Sequence, residues 1–310
     1  MNDFAEFKTL AEFLDHFHDE KTCVAEFTKI RFRNGEYCPH CGHNRIHLFA
    51  NGKRYRCGKC KQDFTIKTKS VFGESKLPLR KWFIAIYLLS TSGKGISSVQ
   101  LAKQLGVRQS TAWFMGHRIR SVKMQGGKML SGTIEMDETY IGGKEKNKHL
   151  SKRIGGTRGR STSVKTPVVG LIERGGEIRA TVVNDCSMRT VESQLVRHAA
   201  FGSKINTDDF LSYARVGKYY PHKAVSHARG EYVNGDAHTN TIESFWALFK
   251  RGYMGVYHHM SRKHLQRYVD EFTFRFNRRA GEMQTVFGDV VERVAGSERL
   301  TYKQLTGKTV

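Results

Sequence analysis

Three acidic residues lie in distinctive segments of a strongly basic chain: Asp137 in SGTIEMDETYIGG, Asp208 at the end of KINTD, and Glu243 in HTNTIESFWALFKRG. The sequence has 52 Lys and Arg against 29 Asp and Glu, a formal net charge of +23. Because carboxylates repel polyanions, acids at strand ends and helix starts of such a chain are suited to holding cations. Two oxygen-bound divalent ions about 3.5–4 Å apart activate a water and stabilise the leaving oxygen at a phosphodiester. The pattern predicts DNA-cutting chemistry.

Glu243 has both a structural and a chemical interpretation. It lies three residues after Asn240, which is the spacing of a helix capping box. At about 100° per residue, however, Glu243 shares one helix face with Ala247 and Lys250. A lysine on that face is suited to a phosphate beside a metal-bound carboxylate. We therefore predict that Glu243 is catalytic and that Lys250 assists it.

The two aspartates each have a neighbouring acid as an alternative. Asp137 falls late in an apolar strand, where an acid is costly unless a cation or hydrogen bonds compensate it. Glu135 points to the same side of that strand, so a contribution from Glu135 stays open. Asp208 is preferred as the second acid, and Asp209 is the alternative that would instead cap a short helix.

Two CxxC pairs predict a metal site. Cys38 and Cys41 form the first pair, and Cys57 and Cys60 form the second after 15 intervening residues. Four thiolates from two tight turns make a closed tetrahedral site, which is typical of structural Zn²⁺ in a zinc ribbon. Catalytic or redox use is the weaker alternative. Paired cysteines of this kind also favour a reducing compartment over disulfides.

Residues 97–113 resemble a helix-turn-helix, with Gly106 at the turn. The second helix would present three side chains to DNA base edges near its N-terminus: Arg108, Gln109 and Ser110. An ordinary helical hairpin is the alternative. Three further basic residues favour DNA: Arg118, Arg120 and Lys123.

The rest of the pattern predicts a multidomain α+β and α/β chain. Strands are predicted at 133–141, 166–173, 177–184 and 204–207, and helices at 188–199, 240–252, 263–279 and 287–295. Interleaved strands and helices of this kind indicate an α/β domain. The predicted domains are N-terminal helices 1–35, zinc ribbon 36–72, helix-turn-helix region 77–125, α/β catalytic domain 127–295 and C-terminal tail 296–310.

Composition and charge narrow the class of partner. A pI near 9.9 predicts a polyanionic partner, most simply nucleic acid. The longest apolar run, residues 82–89, is far short of the ~20 residues that span a bilayer. The first ten residues lack the pattern of a signal peptide. We expect a cytoplasmic protein associated with the nucleoid. The basic segment 144–165 is interpreted as a loop that either contacts phosphates or is simply solvated.

The order of zinc ribbon, helix-turn-helix, MDETYIGGK, TDDFLSY and HTNTIESFWALFKRGYMGVYHHMSRKHLQRYVDEFTFRFNRR resembles bacterial insertion-sequence transposases of the zinc-ribbon-bearing DDE type, the ISXO-like group. The resemblance implies an RNase H-like catalytic domain. In that fold the first Asp lies on the first strand, the second Asp follows a later strand, and the Glu lies on a later helix. The matching positions are Asp137, Asp208 and Glu243, and Lys250 matches the group's basic residue seven positions after the acid.

The resemblance also implies an activity. Such an enzyme would bind the terminal inverted repeats of an insertion sequence, and two Mg²⁺ ions held by the three acids would support DNA cleavage and strand transfer. At least a homodimer is expected during synapsis, because two double-stranded DNA ends must be joined. A catalytically silent, transposase-derived DNA-binding regulator is the main alternative, and another RNase H-like nuclease is the second.

Overall fold

A computed structural model describes residues 7–122, 126–143, 145–147, 149–154, 161–225 and 237–307. Its α-helices are α1 Leu10–His16, α2 Glu20–Arg31, α3 Leu79–Thr91, α4 Ser98–Leu105, α5 Gln109–Val122, α6 Met188–His198, α7 Asn240–Gly252, α8 Leu265–Asn277, α9 Met283–Gly296 and α10 Tyr302–Thr306. Its strands are β1 Ile46–Leu48, β2 Tyr55–Cys57, β3 Asp63–Phe64, β4 Thr133–Ile141, β5 Thr166–Glu173, β6 Ile178–Val182, β7 Lys204–Asp208 and β8 His222–Val225.

The chain divides into two compact units. The first combines Met1–Lys123 with Ala280–Val310, and the second is Met124–Arg279. The first unit holds a small antiparallel sheet in the order β1-β2-β3 together with helices α1 to α5, α9 and α10. The second holds a five-stranded sheet with α6, α7 and α8.

Polar caps determine where several first-unit helices begin. The side chains of Thr9, Asp19 and Ser97 accept hydrogen bonds from the backbone N–H three residues later, at the starts of α1, α2 and α4. Helix α4 ends at Gly106, whose φ of +58° is a left-handed conformation that glycine adopts at little cost. The predicted helix–turn–helix geometry is therefore present in α4 and α5.

The core of the first unit is built from aromatic rings, and α9 supplies one of them. The ring centroid of Phe287 lies 5.2 Å from that of Phe13, 5.6 Å from that of Phe17 and 5.5 Å from that of Phe83. The sequence predicted a catalytic domain running to residue 295, whereas α9 packs against α2, α3 and α5. That difference arises because the apolar face of α9 is buried among first-unit helices.

The second unit is a mixed sheet with helices on both faces. Its strand order is β6-β5-β4-β7-β8, with β4, β5 and β6 antiparallel and with β4, β7 and β8 parallel. Helices α7 and α8 contribute to the apolar core on one face, and α6 contributes to the core on the other. The first acid lies on the first strand, and the helix with Glu243 follows the later strands. This confirms the expected RNase H-like α/β fold.

The predicted bounds of β4 and β5 agree with the structure, whereas β8 was not predicted. Helix α7 continues as a π-helical turn over Tyr253–Tyr257. Lys123 and residues 144, 148 and 155–160 of the basic segment lie outside the described residues. Among the helices that are described, none combines the length and apolar character that a membrane span requires.

Candidate metal centre and candidate active site

The four cysteines of the two CxxC pairs form a ready tetrahedral donor set. Their Sγ atoms all lie within 4.8 Å of one another. The Sγ atoms of Cys38 and Cys60 are 3.7 Å apart, and those of Cys41 and Cys57 are 3.6 Å apart. Zinc–sulfur bonds of about 2.3 Å in a tetrahedron place neighbouring sulfurs ~3.8 Å apart. Two of the sulfur pairs already have this spacing, and the donor set fits Zn²⁺.

Backbone geometry prepares these turns for a cation. Gly42 at φ +75° and Lys61 at φ +59° turn the chain back after each pair. Desolvation on its own raises the pKa of the Cys57 thiol. Hydrogen bonds from the backbone N–H groups of Cys60 and Lys59 outweigh it and lower that pKa to about 6. The thiolate is the form that binds a metal, so a cysteine that ionises readily is a good ligand.

Asp137 and Asp208 lie at the same level of two adjacent parallel strands. Strands β4 and β7 pair from Thr133 with Lys204 to Glu135 with Asn206. Both aspartates come two residues after that last pair, and Asp208 ends β7. The sheet thereby brings the two predicted aspartates together.

Asp137 is a half-buried acid in an acidic environment. Burial, followed by the negative charges of Glu138 and Asp208 and finally that of Glu243, raises the pKa of Asp137 to about 7. Asp208 and Glu243 thus both act electrostatically on Asp137. They are not gathered as tightly as the cysteines, which are the one group among the described residues whose ligand atoms lie within 4.8 Å of one another. Carboxylates that repel one another gain most from a shared cation.

A glycine on β5 allows α7 to approach the sheet beside Asp137. Gly170 pairs directly with Asp137, so the two residues face the same side of the sheet. A Cβ atom at Gly170 would lie 2.6 Å from Trp246 Cζ2 and 3.2 Å from Ile242 Cδ1, both on α7. A glycine inside an otherwise apolar strand signals such a close approach, and this signal in the sequence was missed.

Helix α7 turns its predicted acidic face outward. Glu243, Ala247 and Lys250 are exposed, whereas Ile242, Phe245 and Phe249 are buried. The helix has Thr239 as its N-cap residue, so the capping box proposed for Asn240 is wrong. Instead, the Thr239 hydroxyl donates a hydrogen bond of 2.7 Å to Glu243 Oε1.

The carboxylate of Glu135 is directed into the start of α7. Its side chain is fully buried. Its oxygens accept hydrogen bonds from the backbone N–H groups of Thr241 and Ile242, from the Thr241 hydroxyl and from Arg174 Nε, at 2.9 to 3.1 Å. His238 Nδ1 lies 3.1 Å from Glu135 Oε1. The contacts with Thr241 and Ile242 span more than one hundred residues of sequence, and that with Arg174 spans 39, so no local pattern predicted them.

Asp208, the last residue of β7, and Asp209, which follows it, differ in their surroundings. Asp208 is half-buried, and its Oδ1 atom accepts a hydrogen bond of 3.0 Å from the backbone N–H of Phe210. Asp209 is exposed. The short 3-10 helix Leu211–Tyr213 begins after Phe210, so the interpretation of Asp209 as its cap is wrong.

Lys250 borders a cavity beside the end of β4. The cavity has a volume of about 390 Å³, and its lining includes Tyr140, Gly142, Asn147, Tyr253 and His258. Aromatic rings, an amide and a lysine surround one space there. This combination is chemically suited to a nucleotide, because a base can stack on a ring and a phosphate can pair with an ammonium.

The predicted base-contacting residues of α5 are accessible, whereas two of the basic residues cited in support are not. Arg108, Gln109 and Ser110 are exposed. Arg118 and Arg120 are each only 4% exposed. Arg118 donates hydrogen bonds to the carbonyls of Leu300 and Gly73 and lies over the Phe114 ring. The use of Arg118 and Arg120 as signs of DNA contact is therefore wrong.

Two family models match the chain, one for each kind of site. Residues 129–277 match the model described as ISXO2-like transposase domain, which covers the three acids and Lys250. Residues 18–63 match the model described as transposase zinc-ribbon domain, which covers the four cysteines. One relative is described as an uncharacterized protein in transposable element ISH50 of Halobacterium salinarum. It is 30% identical over 271 residues, which cover 84% of this chain and 91% of that protein.

Solved structures give a more distant likeness. A chain of the simian T-cell lymphotropic virus intasome in complex with PP2A regulatory subunit B56 gamma aligns at a TM-score of 0.29 and 12% identity. This alignment covers 62% of this chain and 65% of that one. A chain of a pre-cleavage Mos1 transpososome aligns at a TM-score of 0.28 and 13% identity, covering 71% and 79%. Scores this low carry no argument about mechanism.

Proposed function

The chain belongs to the ISXO2-like transposase family, and from this premise we propose that it cleaves and joins DNA at the ends of an insertion sequence with two Mg²⁺ ions. The observation that carries the proposal is the level alignment of Asp137 and Asp208 on adjacent parallel strands, with the charge of Glu243 acting on Asp137. Asp137, Asp208 and Glu243 would hold the ions. Oxygen ligands of this kind are those that Mg²⁺ prefers.

The residues around the acids support a phosphoryl-transfer site. When bound, Mg²⁺ supplies the charge that activates the attacking oxygen and stabilises the departing one. Lys250 lies on the same exposed face of α7 as Glu243 and would hold a phosphate of the DNA. Thr239 fixes one oxygen of Glu243 and so limits the orientations of that carboxylate. After cleavage, the freed 3′-OH of the element would take the place of water and attack target DNA at the same acids.

The first unit would supply recognition of the DNA ends. Arg108, Gln109 and Ser110 at the start of α5 would contact base edges in the terminal inverted repeats. The zinc ribbon would bind one structural Zn²⁺ and depend on it for folding. A homodimer or larger assembly would hold the two ends together, because strand transfer joins both to one target.

The test is strand transfer by the purified protein with Mg²⁺, on DNA carrying the sequences that flank its own gene. We expect joined products that disappear with Asp137→Asn and with Glu243→Gln. Asp209→Asn is the matched control, because Asp209 is an exposed acid beside Asp208, and this variant should keep its activity. Specific binding of the ends without cleavage or joining, in either Mg²⁺ or Mn²⁺, would identify a DNA-binding regulator instead. Cutting of branched DNA alone would identify a nuclease.

A further inference from the structure

The first turn of α7 is capped by a side chain from another element. Its N-cap residue, Thr239, makes no side-chain hydrogen bond to a helix N–H. Glu135 Oε2 on β4 accepts instead from the N–H groups of Thr241 and Ile242, at 2.9 and 3.1 Å. These are the second and third helical positions, whose N–H groups an N-cap side chain normally satisfies. Glu135 therefore does the work of the missing cap from a strand 106 residues away.

The capping side chain is a buried carboxylate that lies at a helix N-terminus. A carboxylate near a helix N-terminus is stabilised by the partial positive charge of the aligned peptide dipoles. A buried carboxylate is otherwise costly unless it is paired and hydrogen-bonded. Glu135 is fully buried, and Arg174 Nε donates to its Oε1 atom at 3.0 Å. The Thr241 hydroxyl donates to the same oxygen at 3.0 Å. Two parts of the fold thus hold the carboxylate: Arg174, which directly follows β5, and the first turn of α7.

The position of this contact relates two of the proposed metal ligands. Glu135 lies two residues before Asp137 and on the same side of β4. Glu243 directly follows Ile242, which Glu135 holds. One strand thus carries the first acid and also the anchor of the helix that carries the third. We propose that Glu135 is a positioning residue that fixes Glu243 relative to Asp137. This inference rests on the proposed function, in which both acids hold metal.

The variant that tests the proposal is Glu135→Gln. An amide of the same shape has only one acceptor oxygen, and its NH₂ group faces donors. Two readouts are needed, on protein that keeps its zinc. The first is hydrogen exchange at the Thr241 and Ile242 N–H groups without added divalent ions. The second is Mn²⁺ binding, followed by electron paramagnetic resonance. We expect hydrogen exchange at the two N–H groups to become about tenfold faster, which is the effect of losing a good helix cap. We also expect half-saturation to require about tenfold more Mn²⁺.

Two controls separate positioning from general effects. Glu177→Gln removes a carboxylate of the same unit that pairs with Arg179 rather than with α7, and it should change neither readout. Glu135→Asp keeps the charge on a shorter side chain and should give intermediate values of both. If Glu135→Gln does not fold, Arg174→Gln weakens the hold on Glu135 from the opposite side and should move both readouts in the same direction.

The outcomes that overturn the proposal are distinct. Weakened Mn²⁺ binding with unchanged exchange in the metal-free protein would make Glu135 a metal ligand. Faster exchange with unchanged Mn²⁺ binding would make it a stabiliser of the fold alone. A lack of Asp137-dependent Mn²⁺ binding in the unsubstituted protein would contradict the proposed function itself, and the positioning role with it.

Discussion

Asp137 and Gly170 face each other across the antiparallel ladder of β4 and β5, and the missing side chain of Gly170 is the space that Trp246 of α7 occupies. Any side chain at position 170 would push α7 away from the sheet at the level of Asp137. The packing of Trp246 against Gly170 thus sets how closely α7, the helix that carries Glu243, approaches β5 at this level. The close approach of helix and sheet is part of the candidate site.

We expect Gly170→Ala to lower the free energy of unfolding by about 1–3 kcal/mol, because the added Cβ overpacks a rigid core. Metal-dependent strand transfer should fall with it. Gly217→Ala is the matched control, since the nearest atom to its added Cβ, His222 Cβ, is 3.8 Å away. Urea unfolding and strand-transfer assays measure the two effects. Unchanged stability and activity in Gly170→Ala would contradict the account of helix packing.

The raised pKa of Asp137 should make the stability of the metal-free protein depend on pH. Its pKa is about 7 in the fold, above the ordinary value of 3.8. Between pH 3.8 and about pH 7, therefore, the folded state keeps a proton that the unfolded state has lost. The contribution of Asp137 to the free energy of unfolding is therefore largest below about pH 4, and it is lost as the pH rises to 7. Asp137→Asn should be more stable than the unsubstituted protein at pH 8, by up to about 4 kcal/mol. The difference should vanish near pH 4.

The measurement is urea unfolding of both proteins across that pH range without divalent ions. Asp209→Asn, at an exposed acid, should follow the unsubstituted protein throughout. Parallel pH profiles for the unsubstituted protein and Asp137→Asn would show that Asp137 ionises normally.

Protons should also compete with metal at the same acid. A ligand carboxylate must be ionised, so the half-saturating Mn²⁺ concentration should rise about tenfold for each unit of pH below 7 if one proton is displaced. Isothermal titration at several pH values measures this dependence. An affinity that stays constant between pH 8 and pH 6 would exclude Asp137 from the metal site.

Removal of zinc should unfold the ribbon while leaving the second unit intact. We expect one zinc ion per chain, lost with a strong chelator or with Cys41→Ser, since four thiolates form the donor set. Cys23→Ala is the control, because Cys23 is buried in α2 outside that set and burial raises the pKa of its thiol to about 12. Zinc analysis and hydrogen exchange over residues 38–64 report the result. Full zinc content in Cys41→Ser would contradict the assignment.

Two arginines of the helix-turn-helix region should respond differently to alanine. Arg108→Ala removes an exposed side chain and should weaken binding to the element's ends by about 1–3 kcal/mol with little change in stability. Arg118→Ala removes the donor to the buried carbonyl of Gly73 and to the half-buried carbonyl of Leu300, so it should destabilise the first unit. Gel shifts and thermal unfolding separate the two effects. A folded Arg118→Ala that only loses DNA affinity would contradict this distinction.

The sequence predicted those features that depend on interactions within a short segment. The bounds of β4 and β5, the turn at Gly106 and the cysteine quartet follow from side-chain alternation, backbone freedom and ligand spacing within short segments. The role of Arg118 could not be predicted in this way, since its acceptors Gly73 and Leu300 lie far away along the chain. The same holds for Glu135, whose partners on α7 are recognisable only when the sheet and the helix are assembled.

The return of α9 to the first unit has a consequence for protein synthesis. A growing chain releases α1 and α3 from the ribosome early, but Phe287, which packs against their aromatic rings, is made after the entire second unit. Domains generally fold as they emerge, in order from the N-terminus. Here that order is reversed, because the second unit has its complete sequence before the first does. A nascent chain therefore completes its second unit before it completes the unit that surrounds it in sequence.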